Sequence, residues 1–242
     1  MKTLFIITGS SKGIGKGLAD YALKEDHNHV IGLSRSQTIN HKNYNGISCD
    51  LSNVEQLETA AETLLKSKES YERIALINNA GTLGDVKQLG NIKPAAITQL
   101  FNLNVIAPIL LMNAFMRVYE NFKGAKIIIN VSSGAGKRPV DGWSGYCASK
   151  AAIDMATQVA YEENRLAKNH FQIRAIAPGV VDTEMQQQIR ASEVNDFSGV
   201  KKFAQLKAND ELSTEKEVAE KFFLILNNLE KYNDPILDVR DI

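Results

Sequence analysis

Tyr146 and Lys150 are the residues whose types and spacing most directly suggest chemistry. They belong to the segment YCASK, and two residues four positions apart share one face of a helix. A phenol can donate a proton to a carbonyl oxygen during reduction. A nearby ammonium, together with the positive charge of an oxidised nicotinamide, is expected to lower a phenol pKa that begins near ~10. The pair therefore predicts a general acid, provided that other elements bring a hydride donor and a second hydrogen bond to the same place.

Two further polar positions could complete such a site. Ser133 ends the fifth predicted strand, thirteen positions before Tyr146, and is predicted to donate to the carbonyl oxygen in preference to Ser132. Asn102 and Asn104 interrupt a long apolar helix pattern, where asparagine is a poor helix former. A kink there would expose backbone that holds a water molecule, and we assign that role to Asn104.

A glycine-rich turn follows the first predicted strand and opens into a helix. Its glycines would allow a tight turn, a close approach to a pyrophosphate and packing of the helix on the sheet, while the helix N-terminus supplies N–H donors. This order of strand, turn and helix is the one that dinucleotide binding requires. The residues expected to contact the cofactor here are Gly9, Ser11, Lys12, Gly13, Ile14 and Gly15.

The end of the second predicted strand indicates which cofactor is used. It carries Ser34 and Arg35, at the place where NAD-binding folds put an acidic residue on the ribose 2′-hydroxyl. A guanidinium can stack on adenine and bind a 2′-phosphate through two hydrogen bonds, and Lys12 could reach the same phosphate. The sequence therefore predicts NADP(H). The alternative for each cation is an ordinary solvated surface charge.

Two more strand ends are expected to face the cofactor. Asp50, followed by Leu51, could accept from the adenine amino group or cap the next helix, and the two roles could coexist. Asn79, Ala80 and Gly81 follow the fourth strand. Small residues there leave room for the cofactor, and an asparagine amide can tie adjacent strands together.

The elements that must position these residues alternate as βαβ units. Short apolar runs, several of them apolar at consecutive positions, are typical of a parallel sheet covered on both faces. We predict an α/β, Rossmann-like doubly wound, seven-stranded and mostly parallel sheet in one domain over residues 1–242, with the polar, weakly periodic segment 182–214 as a lid. The predicted strands are Leu4–Thr8, Val30–Leu33, Gly46–Cys49, Ile74–Ile77, Lys126–Val131, Ile173–Ala177 and Ile236–Val239, and the main predicted helices are Lys16–Lys24, Val54–Lys66, Ala95–Phe122, Tyr146–Lys168 and Glu215–Leu229.

Composition narrows the classes of function. Lys and Arg together number 28, as do Asp and Glu, so no excess of charge predicts nucleic acid or an anionic membrane as a partner. No apolar run is expected to approach the ~20 residues of a membrane span, and no signal-peptide pattern is seen. Cys49 and Cys147 are expected to be free thiols in a reducing compartment. We expect a cytoplasmic protein that binds no metal.

Together these residues resemble the short-chain dehydrogenase/reductase family. The resemblance implies that Tyr146 is the acid and that Ser133 polarises the carbonyl group. Lys150 would also bind the nicotinamide ribose, and Asn104 would hold the water of a proton relay. Pairing through the two long helices, as a homodimer or homotetramer, is also implied. The nicotinamide end would be lined by Pro178, Gly179, Val181 and Thr183.

The C-terminal third resembles the sepiapterin reductase branch of that family, including its benzil-reducing relatives. In that branch an aspartate near the C-terminus anchors the pterin, and Asp238 stands at the matching place, with a solvated edge-strand acid as the alternative. On the substrate side, Trp143 is either a stacking wall for an aromatic ring, which we slightly prefer, or part of the core. Met185 is placed among the substrate-binding residues as well, although it and Phe197 are expected to serve mainly in packing the lid.

The predicted reaction is the NADPH-dependent reduction of a small-molecule ketone or vicinal dicarbonyl of the sepiapterin or benzil type. One alternative is a reductase of 3-oxoacyl thioesters or sugars, although only Lys137, Arg138 and Arg190 could form the basic patch that an acyl carrier needs. A second alternative is an NADP-binding redox sensor. Such a protein should lack part of the catalytic tetrad that the family resemblance implies, which consists of Asn104, Ser133, Tyr146 and Lys150.

Overall fold

Seven strands form one sheet in the order β3-β2-β1-β4-β5-β6-β7. The computed structural model describes residues 1–64 and 70–242. Every strand pairing in this part of the chain is parallel, where the sequence predicted a mostly parallel sheet. The strands are β1 (Thr3–Thr8), β2 (His29–Ser34), β3 (Tyr44–Ser48), β4 (Arg73–Asn78), β5 (Ala125–Val131), β6 (Phe171–Ala177) and β7 (Ile236–Asp238).

Helices lie between most successive strands and cover both faces of the sheet, whereas β2 and β3 are joined by a loop. Two helices begin with recognisable sequence signals: α3 starts at Pro94, which has no N–H group to satisfy, and a capping box between Thr214 and Glu217 starts α8. The predicted end of the second helix at Lys66 lies outside the described residues. The helices are α1 (Gly13–Ala22), α2 (Val54–Leu64), α3 (Pro94–Phe101), α4 (Ala107–Val118), α5 (Ser144–Ala167), α6 (Glu184–Arg190), α7 (Val200–Ala208) and α8 (Glu215–Leu226).

The alternation of side chains along the strands divides the core into two layers. In β1, Phe5 and Ile7 pack with residues of α1 and α8 on one face of the sheet. Leu4 and Ile6 pack on the other face with residues of α2, α4 and α5. Because both faces are buried, the strands need apolar residues at consecutive positions, which is the pattern that predicted a parallel sheet.

The predicted helix over 95–122 consists of two helices joined by a π-helical turn at Asn102–Ile106. Such a turn inserts an extra residue and is often found at functional sites. The interruption falls at the asparagines where the sequence predicted a kink.

The segment 182–214 is more regular than predicted, because α6 and α7 lie within it. Helix α7 has no fully buried residue, and α6 buries only Gln186 and Ile189. Short helices with such a small buried face have weak apolar periodicity, which is why the sequence indicated an irregular segment.

The stretch Pro94–Val118 is long and apolar enough, by length and composition, to cross a membrane. The expectation that no run approaches that length was therefore wrong. In the fold this stretch lies against the sheet, with Leu111, Met112 and Phe115 in the core. A helix that packs on a buried sheet can be as long and as apolar as one that spans a membrane.

Candidate active site

The site lies at the carboxyl edge of the sheet, where the strand order reverses between β1 and β4. Ligands bind at this place in open α/β sheets, because the loops on either side of the reversal separate and leave a crevice. The glycine turn after β1, the Asn79 loop after β4 and the Ser133 loop after β5 all meet there.

The glycine turn has the backbone geometry that the sequence predicted. Gly9 and Gly13 have φ angles of 68° and 61°, a left-handed region that favours glycine. A Cβ atom at Gly15 would collide with the Gly9 carbonyl group and the Asn79 amide. No side chain caps the N-terminus of α1, and its first turn contains no acidic residue. The N–H groups and the positive end of the helix dipole therefore fit a pyrophosphate.

Hydrogen bonds from the β4 loop hold this turn in place. The Asn79 amide donates to the carbonyl oxygens of Thr8 and Gly9 at 2.9 and 3.3 Å, and the Thr8 hydroxyl accepts from the backbone N–H groups of Asn79 and Ala80. Asn79 thus ties β4 to β1, the structural role considered for an asparagine amide at this position.

The two cations predicted to meet a 2′-phosphate differ in their surroundings. Arg35 is exposed at the end of β2, beside Ser34, which is buried and donates to the Ser36 carbonyl oxygen at 2.7 Å. Lys12 is paired with Glu184 at the start of α6. Lys12 is thus engaged by Glu184, whereas Arg35 forms no ion pair among the residues that the structure describes.

Asp50 forms a local turn rather than a helix cap. Its Oδ1 accepts from the backbone N–H and the hydroxyl of Ser52 at 3.0 and 2.7 Å, and these bonds hold the pKa of the carboxyl group below its ordinary value. The cap of α2 is Asn53, whose side chain accepts from the Gln56 N–H, so the predicted capping role of Asp50 was wrong. Leu51 is buried in the core beside it.

Asn104 holds the β4 loop against α5. In the π-helical turn its Oδ1 accepts from the Thr82 N–H at 2.9 Å, and its Nδ2 donates to the Thr82 carbonyl oxygen and to the Ser149 hydroxyl. A Cβ atom at Gly81 would lie 3.4 Å from the Asn104 Oδ1 and 3.7 Å from the Lys150 Nζ, so both side chains converge on this loop.

The two serines at the end of β5 differ in burial and in hydrogen-bond partners. Ser132 is buried and donates to the carboxylate of Asp154. Ser133 is half-buried, accepts from the Ala135 N–H at 3.2 Å and lies near enough to Tyr146 to act against the rise of its pKa. Ser133 is thus not held by Asp154, and its role as the donor to a substrate stays a prediction.

Burial controls the protonation of the YCASK pair. It raises the pKa of the Tyr146 hydroxyl to about 12, although the hydrogen bond with Ser133 acts in the opposite direction. It lowers the pKa of the Lys150 ammonium to about 8, and the Asp154 carboxylate partly opposes that change. The Lys150 Nζ donates to the Val131 carbonyl oxygen at 2.8 Å and lies 5.7 Å from the centre of the Tyr146 ring. In the protein alone, burial therefore outweighs the lysine, and the expected lowering by lysine and oxidised nicotinamide together stays a prediction.

The loop after β6 closes the opposite side of the crevice. Pro178 and Val181 are buried, and Gly179 has a φ angle of 75°. A Cβ atom at Gly13 would lie 3.7 Å from the Thr183 Cγ2, so the glycine turn and this loop face each other closely.

Trp143 lies in an aromatic cluster beside the acid. Its ring meets Tyr146 edge-on at 5.9 Å and packs against Phe197 and Phe203 at 5.1 and 5.7 Å. Because Trp143 is 7% exposed, it belongs to the core between α5 and the lid, and the slight preference for a substrate wall is not supported. Met185 packs at the edge of this cluster.

Comparison with known proteins decides the family. The family model described as short chain dehydrogenase matches residues 3–194, most of the chain. The chain is a short-chain dehydrogenase.

Relatives of this dehydrogenase include two named reductases. Benzil reductase ((S)-benzoin forming) of Bacillus subtilis (strain 168) is 38% identical over 243 residues, covering 98% of each chain. Sepiapterin reductase of Bos taurus is 29% identical over 246 residues, covering 94% of this chain and 90% of that one. A solved structure of 4-hydroxyisoleucine dehydrogenase complexed with NADH has a TM-score of 0.80 at 21% identity, covering 98% of this chain and 96% of that one, which shows the shared fold. The dehydrogenase thus belongs to a family of oxidoreductases that act on CH–OH and C=O groups with a nicotinamide cofactor.

Asp238 of the dehydrogenase is buried at the end of β7 and already has a partner. Its carboxylate accepts from Nε and Nη2 of Arg240 at 2.8 and 2.5 Å. The edge-strand acid is therefore not simply solvated. Sequence reasoning missed Arg240, because its only signal was an arginine two positions after an aspartate.

Proposed function

We propose that this dehydrogenase is an NADPH-dependent reductase of vicinal dicarbonyl compounds of the benzil type. The observation that carries the proposal is the convergence of Ser133, Tyr146, Lys150 and Asn104 beside a glycine turn suited to a dinucleotide. The similarity to benzil reductase over almost the whole of both chains supports the substrate class.

The roles of the side chains follow from their contacts. NADPH, when bound, would supply the hydride that reduces the carbonyl carbon. Tyr146 keeps its proton at neutral pH because burial raises its pKa to about 12, and it would give that proton to the carbonyl oxygen. Ser133 would donate a hydrogen bond to the same oxygen, since Ser132 is held by Asp154.

Lys150 and Asn104 would serve the cofactor and the proton supply. The Lys150 ammonium would bind the nicotinamide ribose and favour loss of the Tyr146 proton during the reaction. The Asn104 side chain, held by Thr82, would keep the π-helical turn open for a relay water. In this arrangement no residue of the tetrad lacks a role, which disfavours the redox-sensor alternative.

A diketone is preferred to a pterin as substrate because of Asp238. A pterin would need the two carboxylate oxygens of this residue, and Arg240 occupies both. We therefore expect a lower kcat/KM for sepiapterin than for benzil.

The experiment that tests the proposal measures NADPH oxidation with benzil, sepiapterin, a 3-oxoacyl thioester and a ketose on one plate. Benzil should give the highest kcat/KM. Tyr146→Phe should lower kcat by on the order of 10²- to 10⁴-fold, because the proton donor is lost, while NADPH still binds. A native enzyme that reduces only the thioester or the ketose would contradict the proposed substrate class, and full turnover by Tyr146→Phe would contradict the mechanism.

We also propose that segment 182–214 acts as a substrate lid and that the protein works in the cytoplasm. Contacts with the β4 loop support the lid: Lys87 pairs with Asp196 at 2.5 Å, and the Gln188 amide donates to the Gly84 carbonyl oxygen at 2.8 Å. These contacts close the segment over the aromatic cluster beside Tyr146.

A further inference from the structure

The C-terminal turn returns the chain to the active site. Strand β7 pairs with β6 so that Asp238 is the partner of Ala177, immediately before Pro178. A short helical turn, Val239–Asp241, follows. The Asp238 carboxylate accepts from the Arg240 N–H at 3.0 Å as well as from the guanidinium, so backbone and side chain are held together.

The side chain of Arg240 lies beside the loop after β5 and the loop after β6. A Cβ atom at Gly134, the residue after Ser133, would lie 3.9 Å from Nη2 of Arg240. A Cβ atom at Gly179 would lie 3.8 Å from both Cγ and Cδ of the same side chain. Arg240 therefore lies between the loop that carries Ser133 and the loop that begins with Pro178.

Arg240 is firmly held yet still able to bind a ligand. Its side chain is 58% exposed, whereas that of Asp238 is only 8% exposed. The two hydrogen bonds to Asp238 use Nε and Nη2, and Nη1 has no partner among the residues that the structure describes. A guanidinium carries five N–H donors, so several remain for a substrate.

The charge of the pair indicates the kind of group that it would bind. The carboxylate of Asp238 offsets the guanidinium charge, and the ammonium of Lys137 acts on the same carboxylate from a distance. If the substrate carried a carboxylate, Asp238 would repel that group as it approached Arg240. A neutral acceptor such as a carbonyl oxygen avoids this repulsion and still gains a charge-assisted hydrogen bond.

We propose that Arg240 is a specificity-determining residue that binds the second carbonyl oxygen of a vicinal dicarbonyl substrate, and that Asp238 is its positioning residue. The inference rests on the proposed function and deepens it. Ser133 and Tyr146 hold the oxygen that is reduced, and Arg240 holds its neighbour. No proton moves at Arg240, because an arginine side chain stays protonated throughout the working pH range.

The test compares two ketones on the same two-ring skeleton with NADPH: benzil, and benzyl phenyl ketone, in which one carbonyl group is replaced by a methylene group. Arg240→Leu should lower kcat/KM for benzil by about 10- to 100-fold and change that for the monoketone by less than about 3-fold, because only benzil presents a second oxygen. Arg240→Lys should lose most of the preference for benzil, since an ammonium cannot make the paired contact with Asp238.

Two further variants separate specificity from general charge and from pterin binding. Arg138→Leu removes an exposed cation from the loop after Ser133 and should leave the ratio of the two kcat/KM values unchanged. Asp238→Asn should lower the ratio in the same direction as Arg240→Leu. If Asp238→Asn instead raised KM for sepiapterin alone and left benzil unaffected, the positioning role would be wrong.

The outcomes distinguish this inference from the proposed function. Suppose that the native enzyme reduces benzil well. If Arg240→Leu then lowers kcat/KM equally for the two ketones, or changes it for neither, the role of Arg240 is overturned while the proposed function stands. If the native enzyme reduces neither ketone, the proposed function fails and this inference fails with it.

Discussion

At the scale of single residues, burial pushes the two members of the YCASK pair toward their neutral forms. A phenolate and an ammonium are both charged and lose solvation on burial, so the pKa of Tyr146 rises to about 12 and that of Lys150 falls to about 8. In the protein alone, Tyr146 is thus held in its protonated form. Asp154, hydrogen-bonded to Ser132, is the buried carboxylate that helps Lys150 to keep its charge.

The lowered pKa of Lys150 predicts a pH-dependent stability. Its ordinary pKa is 10.5, so between pH 8 and 10.5 the folded protein has released this proton while the unfolded chain still binds it. The free energy of unfolding should therefore rise with pH across this window, relative to that of Lys150→Met, by on the order of 3 kcal/mol. Below pH 8 the full cost of burying the ammonium is present.

Urea unfolding of both proteins at several pH values between 7.5 and 10.5 checks this prediction. Tyr146 and Tyr119, whose pKa values burial raises to about 12, destabilise the fold above pH 10 in both proteins, so their effect cancels in the difference. A difference that stayed constant over the window would show that Lys150 titrates normally.

Arg35 predicts the cofactor preference. Arg35→Asp should lower kcat/KM for NADPH by about 10- to 100-fold, because it replaces a cation by an anion at the expected 2′-phosphate position. The kcat/KM for NADH should fall little or rise. Lys123→Asp makes the same charge change just before β5, at the amino edge of the sheet and away from the site at its carboxyl edge. It should not alter the ratio of kcat/KM for NADPH to kcat/KM for NADH. A native enzyme with a higher kcat/KM for NADH would contradict the assignment of NADP(H).

At the scale of elements, the π-helical turn decides what α3 and α4 can do. A continuous helix would rotate Asn104 away from its partners, whereas the extra residue lets the side chain reach Thr82 and Ser149. The turn thus joins the β4 loop to α5, the helix that carries Tyr146 and Lys150.

Asn104→Ala should lower the free energy of unfolding by about 3 kcal/mol, because it leaves buried polar partners without a hydrogen bond. Asn102→Ala, in the same turn, removes a single bond of 3.2 Å to the Ser52 carbonyl oxygen and should cost about 1 kcal/mol or less. Chemical denaturation of the two variants gives the comparison. Equal losses would mean that Asn104 has no special role in holding the turn.

At the scale of the whole molecule, α4 and α5 have apolar side chains that the monomer does not cover. Ile109 is 38% exposed, Met155 59% and Val159 48%, although the sheet side of both helices is well packed. Exposed apolar residues on neighbouring helices indicate a partner surface. A second copy of the chain, paired through these helices as a dimer or within a tetramer, is our proposal.

The native protein should be at least a dimer at micromolar concentration by size-exclusion chromatography with light scattering. Introducing Met155→Glu and Val159→Glu together should shift it toward the monomer, because two buried carboxylates would face the partner. Val194→Glu alters a residue that is similarly exposed, at 54%, in the lid segment and should leave the mass unchanged. A native monomer would refute the proposed assembly.

The amino-acid sequence was sufficient for features that depend on local spacing. The strand, glycine turn and helix near Gly9, the apolar strands of a doubly wound sheet and the helix bearing Tyr146 and Lys150 follow from periodicity and short motifs. The family resemblance rested on the same spacings, and the match over residues 3–194 agrees with it.

Only the folded chain decided which side chains meet across long distances in the sequence. Lys12 meets Glu184, Asn104 meets Thr82, and Ser132 rather than Ser133 meets Asp154. The direction of the Tyr146 pKa shift also depended on the fold, since desolvation by surrounding residues outweighed the lysine four positions away. The spacing of residues in the sequence predicts which of them lie on the same face of a helix or strand. Burial and contacts between distant segments arise only when the core is packed.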